Sequence, residues 1–362
     1  MDALFWVSGA IVVYVYLLYP ALLALWARLV DRRPRKQYPA PGQWPSISIV
    51  IAARNEAARL PARVANLLEQ EYPGRREIIV VSDGSVDGPG AALGPLRASV
   101  TLIELPPGGK PLALNAGAAA ARGEILVFAD ARQRFAPGAL VELVSNFSDC
   151  QVGAVTGELI LDCEMDRGSE STVGDGIALY WKYEKWLRRN ESRVWSTLGA
   201  SGAIYAMRRS LWRPLPAETL LDDVLAPMRA VFAGFRIVFD EAAVAFDAAA
   251  PDGAAESRRK RRTLAGNYQI LAMEPRLLVP LVNSVWVQYV SHKLGRLIVP
   301  WALVTLLFAS VAAATSHWIY VVALAVQLCF YGLAAVGAWL DRQQADRPAV
   351  DMNAPIGARS VR

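Results

Sequence analysis

Residues 77–88 read EIIVVSDGSVDG. The first five are a β-branched run of strand length, and the next seven put an aspartate and two glycines where the run ends. Upstream, 46–52 (SISIVIA) is a second such run, and 56–70 carries apolar residues at helical spacing. Downstream, an Ala-rich helix is expected over 112–121, a third strand over 124–129 (EILVFA), and a further strand from 153–156. Strands alternating with helices predict an α/β domain whose parallel sheet is covered on its faces. Such sheets bind ligands at the carboxyl ends of their strands, so the residues just after each run matter most.

Those residues are acidic. Asp83 follows the 77–81 run and Asp130, with Ala131 and Arg132, follows the 124–129 run. A carboxylate at a strand exit suits a nucleoside, or a hard divalent cation beside a diphosphate, because such cations prefer carboxylate and phosphate oxygens. Each is equally an ordinary Asx turn or helix cap when read alone. Asp222 and Asp223 stand side by side before a helical pattern, which makes them either caps or a pair whose mutual repulsion raises the proton affinity of one. Residues 256–262 (ESRRKRR) are the densest basic cluster, suited to a diphosphate, to anionic lipid or to solvent.

Further out, the chain turns apolar. Of its 362 residues 54% are hydrophobic, too many for one small soluble domain. Residues 5–27 are long enough to span a bilayer and are followed by Arg28, Arg32, Arg33, Arg35 and Lys36. With only Asp2 ahead of it, this stretch reads as a retained anchor and not a cleaved leader. Two more runs, near 297–315 and 318–340, are joined by Thr315-Ser316-His317 as a helical hairpin. Basic residues at the inner ends predict an N-terminus outside the inner membrane of the cell, with the central domain and tail in the cytoplasm. The expected divisions are an anchor (1–30), a Pro-containing linker (31–45), the α/β domain (46–275), a segment 276–295 lying along the interface or buried in the core, the hairpin (296–340) and a flexible tail (341–362). The aromatic run Tyr180, Trp181, Tyr183 and Trp186 reads as core or interface anchoring. A net charge of +5 bunched beside the spans points to lipid and not to nucleic acid. Two histidines, His292 and His317, lie outside the central domain, and Cys150, Cys163 and Cys329 lack metal-ligand spacing. A His-based triad or zinc site is therefore excluded, the thiols are expected reduced, and catalysis falls to carboxylates.

The order of these features, with IVIAARNEAARL (49–60), VSDGSVDG (81–88), GGKPLALNAGAAAARGEILVFADAR (108–132), YWKYEKWLRRNESR (180–193) and LGASGAIYAMRRSLWRPLP (198–216), resembles the inverting family-2 glycosyltransferases of GT-A fold, in particular their cellulose-synthase-like membrane branch. The resemblance covers roughly 45–295. It implies a GT-A Rossmann-like domain plus transmembrane helices, a UDP-sugar donor, a saccharide or lipid-linked acceptor, and bound Mg²⁺ or Mn²⁺. Glu56 and Asp83 would then face the nucleoside, Lys110 and Asn115 the nucleotide loop, and Asp130 the metal and diphosphate. Asp223 would be the general base, with Asp222 where Glu is usual, and Arg262 would steady the leaving diphosphate. Two departures stand out. Arg132 replaces the second Asp of the metal motif, so a fixed cation is expected beside the diphosphate. Arg259 and Thr263 replace the Gln and Trp of the processive enzymes, which argues against long polymers. Within the same chemistry the alternative is a transferase loading one sugar onto a polyprenyl phosphate; outside it, a silent nucleotide-sugar-binding subunit.

Overall fold

The structure, a computed structural model, describes residues 1–161, 172–247 and 253–345; Cys163 lies outside them, as do 346–362 of the tail, while Cys150 and Cys329 carry free thiols. Helix α1 (Asp2–Val30) opens the chain. An eight-stranded sheet follows, built from β1 (Ile47–Ala53), β2 (Arg76–Asp83), β3 (Thr101–Leu105), β4 (Ile125–Ala129), β5 (Arg134–Phe135), β6 (Val152–Leu161), β7 (Ile204–Arg208) and β8 (Arg236–Asp247), in the order β3-β2-β1-β4-β7-β6-β8-β5.

The central strands are apolar along their length because helices cover both faces. All five residues of β4 are buried. Along β1, Ile47, Ile49 and Ile51 face one layer, packed on Leu60, Val64 and Leu67 of α2 (Leu60–Leu68). Val50 faces the other, where α3 (Lys110–Ala120) lies so close that a Cβ on Gly117 would fall 2.4 Å from Val50 Cγ1. On the first face α2 is joined by α4 (Ala139–Ser145) through Leu140 and Leu143.

The sheet is mixed, not parallel throughout. β1 pairs in parallel with β2 and β4, as expected, but β7 runs antiparallel to both β4 and β6. The pairing Ala129↔Ile204 brings the chain just before β7 to the edge where β1, β2 and β4 end. β3 carries no clear signal in the sequence, since its residues are exposed or half-buried at the sheet's margin and form no sustained apolar run.

Long helices attach this domain to the apolar segments. α5 (Thr172–Val194) lies along α1, with Tyr19, Leu23 and Ala27 meeting Leu187 and Val194, and with Tyr183 and Trp186 packed on the same cluster. After α6 (Asp222–Phe232) and α7 (Gly253–Met273) the chain enters α8 (Trp286–Ala313) and α9 (Trp318–Ala345). Among the described residues three stretches are long and apolar enough to cross a membrane: α1, α8 and residues 318–337 of α9. Residues 286–291 are thus the first turns of α8, while the preceding loop leaves Leu281 98% exposed.

Candidate active site

The exits of β1 and β2 are laced together. Asn55 N–H donates to Ser85 Oγ (3.1 Å), Val86 N–H to Asn55 Oδ1 (3.0 Å) and Ala57 N–H to Asp87 Oδ2 (2.8 Å). Glu56, in the same loop, pairs with Arg59. Asp83, only 4% exposed, accepts the amides of Gly108 (2.6 Å) and Gly109 (2.9 Å) on Oδ1. Two charge-assisted bonds to backbone fix the loop that delivers Lys110 at the start of α3. Arg54 stands 3.8 Å from the other oxygen.

Lys110 is the hub. Its Nζ lies 3.0 Å from Asp130 Oδ1, at the exit of β4, and 3.5 Å from Asp222 Oδ2, in the first turn of α6. The next carboxylate, Asp223, accepts the Gly202 amide on Oδ2 at 3.0 Å, and its carbonyl accepts the Ala200 amide at 2.7 Å. Gly202 leaves little room, because a Cβ there would sit 3.1 Å from Asp223 Oδ2 and 3.6 Å from Lys110 Nζ. The LGASGAIY segment is therefore the cradle of the carboxylate, and its glycine lets the backbone approach closely.

Electrostatics divide the cluster. Burial and then the charge of Asp222 push the Asp223 carboxyl up to about 6, against Lys110, the Gly202 amide and Lys293. Burial alone would lower the Lys110 ammonium, but Asp130, Asp222 and Asp223 outweigh it and hold it well above the lysine range. Beneath them Tyr205, 1% exposed and stacked on Phe128 (4.6 Å), has a hydroxyl without a hydrogen-bond partner, pushed well up by burial and by the same three carboxylates. The small-residue stretch 198–205 signals close backbone approach in the sequence, but the meeting of Gly202 with Asp223 and the place of Tyr205 beneath the carboxylates are set by the antiparallel register of β7 on β4.

Other residues expected at the site stand elsewhere. Asn115 uses both ends of its amide on the Leu215 backbone, each at 2.8 Å, and so clamps the segment after β7. Arg132 turns to Asp247 Oδ2 (3.3 Å), which also accepts from Gln133 Nε2 (2.9 Å). Arg262 is exposed on α7 and makes no contact with the carboxylates. For a divalent ion, Asp130 fits as a single protein ligand: its carboxylate is about a third exposed (32%) and one oxygen is left over by Lys110. Mg²⁺-type sites commonly combine one or two carboxylates with substrate phosphates. Among the described residues no cluster of three or more acidic, His or Cys side chains forms a cage.

The sequence pattern of glycosyl transferase family 2 matches residues 48–213. Among curated proteins, the chain is 25% identical over 240 residues to the probable glycosyltransferase YdaM of Bacillus subtilis (strain 168), covering 63% of this chain and 56% of that one. It is 33% identical over 135 residues to the beta-monoglucosyldiacylglycerol synthase of Nostoc sp. (strain PCC 7120 / SAG 25.82 / UTEX 2576), covering 35% of this chain and 29% of that one. The chain thus spans little more than half of the first relative and under a third of the second. Among solved structures, mannosyltransferase PcManGT from Pyrobaculum calidifontis in complex with GDP-Man and Mn²⁺ superposes with a TM-score of 0.66, at 23% identity, covering 93% of this chain and 92% of that one; this likeness is one of fold. With strand exits, cradle and sequence pattern in agreement, residues 48–213 are a glycosyl transferase family 2 domain on a GT-A fold.

Proposed function

We propose that the chain is a membrane-anchored inverting glycosyltransferase that moves a sugar from a UDP-sugar to a saccharide or lipid-linked acceptor in building cell-envelope or extracellular polysaccharide. The observation that carries the reading is the Asp223 carboxyl, cradled by Gly202 and pushed up to about 6 next to the fixed cation Lys110. A base poised near neutrality takes a hydroxyl proton most effectively. The acceptor O–H gives its proton to Asp223 as its oxygen bonds to the anomeric carbon, and the bond from that carbon to the diphosphate breaks, releasing UDP. Lys110 and Asp130 lie where the diphosphate charge develops. A bound Mg²⁺ or Mn²⁺, held by Asp130 and phosphate oxygens, would neutralise that charge. Asp83 and Glu56 mark the nucleoside end; Asp83 also positions Lys110 by holding the Gly108 and Gly109 amides.

The three apolar helices support a multi-pass membrane protein, and the basic residues after α1 support a cytoplasmic domain. The test is UDP release from a panel of UDP-sugars by the full chain in nanodiscs, with and without Mn²⁺, for wild type and Asp223→Asn. Turnover that the variant loses by about 10²-fold or more supports the reading. Absence of both turnover and UDP binding in the wild type overturns it.

A further inference from the structure

The loop that carries Asp130 is held from two sides. It runs from the exit of β4 to β5, the last strand of the sheet. On one side Asp247, at the end of β8, accepts Arg132 (3.3 Å) and Gln133 Nε2 (2.9 Å), and the Ala136 N–H donates to the Val244 carbonyl (3.0 Å). On the other side β5 has no neighbouring strand, so the outward N–H and C=O of Phe135 need partners from elsewhere. Asn66, on α2, supplies both: its Oδ1 accepts the Phe135 N–H at 2.8 Å and its Nδ2 donates to the Phe135 carbonyl at 3.0 Å. A side-chain amide carries a donor and an acceptor in one plane, so Asn66 stands in for the missing strand.

Charge sets the orientation of that amide. Arg63, one turn earlier on α2 and 2% exposed, donates Nη1 to the same Oδ1 at 2.9 Å, and its guanidinium lies 4.1 Å over the Phe135 ring. The oxygen end is drawn to the cation, which leaves Nδ2 facing the carbonyl. α2 is itself fixed at its start, where the Ala57 N–H reaches Asp87 Oδ2 (2.8 Å) and the Leu60 N–H bonds the Glu56 carbonyl (3.1 Å). Only 131–134 separate the clamp from the carboxylate, and Ala131 and Gln133 are buried, so the loop has little slack to absorb a displacement of Phe135 before it reaches Asp130. Resting on the reading of Asp130 as a metal ligand, we propose that Asn66 is a positioning residue for the divalent ion: it holds the loop where the Asp130 carboxylate can meet a cation carried on the donor's phosphates.

UDP and uridine, which differ by the diphosphate alone, are the probes, titrated by calorimetry into the full chain in nanodiscs with saturating Mn²⁺ or with EDTA. In wild type Mn²⁺ should tighten UDP by about tenfold or more and leave uridine unchanged, because only the diphosphate reaches the ion. Asn66→Leu keeps the size of the side chain and removes both bonds to Phe135. In this variant the Mn²⁺ gain should shrink below about threefold while uridine affinity stays within about twofold of wild type. Asn66→Asp keeps the acceptor and loses the donor, so its gain should fall between the two; it carries the test if the Leu variant does not fold. A full Mn²⁺ gain in the variants overturns the assignment. So does a loss of uridine affinity as large as the loss of UDP affinity, which would make Asn66 a general support of the sheet. In both of those cases the wild-type gain stands, and the metal reading with it. If wild type itself shows no Mn²⁺ gain, the ion leaves Asp130 and the role of Asn66 goes with it. Because binding needs no turnover, each of these results is separate from the UDP-release test.

Discussion

Lys110 holds Asp130 and Asp222 at once, with Nζ 3.0 Å from the first and 3.5 Å from the second. One ammonium therefore joins the exit of β4 to the first turn of α6. It is at once the counter-ion of those two carboxylates and, in the proposed reading, of the diphosphate, and it restrains the proton affinity of Asp223.

Replacing it separates the two roles. In Lys110→Met the restraint on Asp223 is gone, so its proton affinity rises further. Activity that depends on ionised Asp223 climbs as pH passes through about 6 in the wild type; in the variant this limb moves to higher pH, and turnover on the plateau falls by about 10²-fold. A pH–rate profile reads both, and an unmoved limb would show that Lys110 does not set the base.

The same carboxyl should cost stability. Its affinity in the folded chain is raised above the unfolded value, so stability is fully present below about pH 4 and is lost as pH rises towards 6. Asp223→Asn is expected to raise the unfolding midpoint at pH 8, by roughly 1–2 kcal/mol, and to leave it unchanged at pH 4. Thermal unfolding in detergent at the two pH values checks this.

Gly202→Ala puts a methyl 3.1 Å from Asp223 Oδ2. The Asp223 carboxylate must give by a few tenths of an ångström, which disturbs its bond to the Gly202 amide. A drop in turnover of about 10-fold or more with folding preserved is expected, since small misplacements near the reacting atoms are costly.

His292→Phe leaves Glu191 buried with Tyr19 as its remaining partner. Removing one member of a buried pair commonly costs about 3–5 kcal/mol. The unfolding midpoint should fall sharply, and limited proteolysis should release the sheet domain from α1 and α8.

Arg262→Ala changes an exposed helical residue and should leave stability within about 0.5 kcal/mol. If this arginine steadies the departing diphosphate, turnover falls while UDP affinity holds. Unchanged turnover would remove it from the machinery.

The amino-acid sequence determined what depends on neighbours along the chain. The β-branched runs at 46–52, 77–81 and 124–129, the carboxylates that follow the last two and the Asp-Asp at a helix start are local patterns, set by strand periodicity and capping chemistry. Length and hydropathy were enough for three apolar helices. Tertiary structure decided everything that rests on register between distant segments. The antiparallel docking of β7 on β4 carries Gly202 to Asp223 and Tyr205 beneath the carboxylates, although 70-odd residues separate the two strands. It also turned Arg132 away to Asp247, spent Asn115 on Leu215, and matched Glu184 and Glu191 with His292 and Arg296. Local periodicity fixes which face a side chain takes, but not which charge it meets there; that is settled when the whole chain packs and buried charges must find partners.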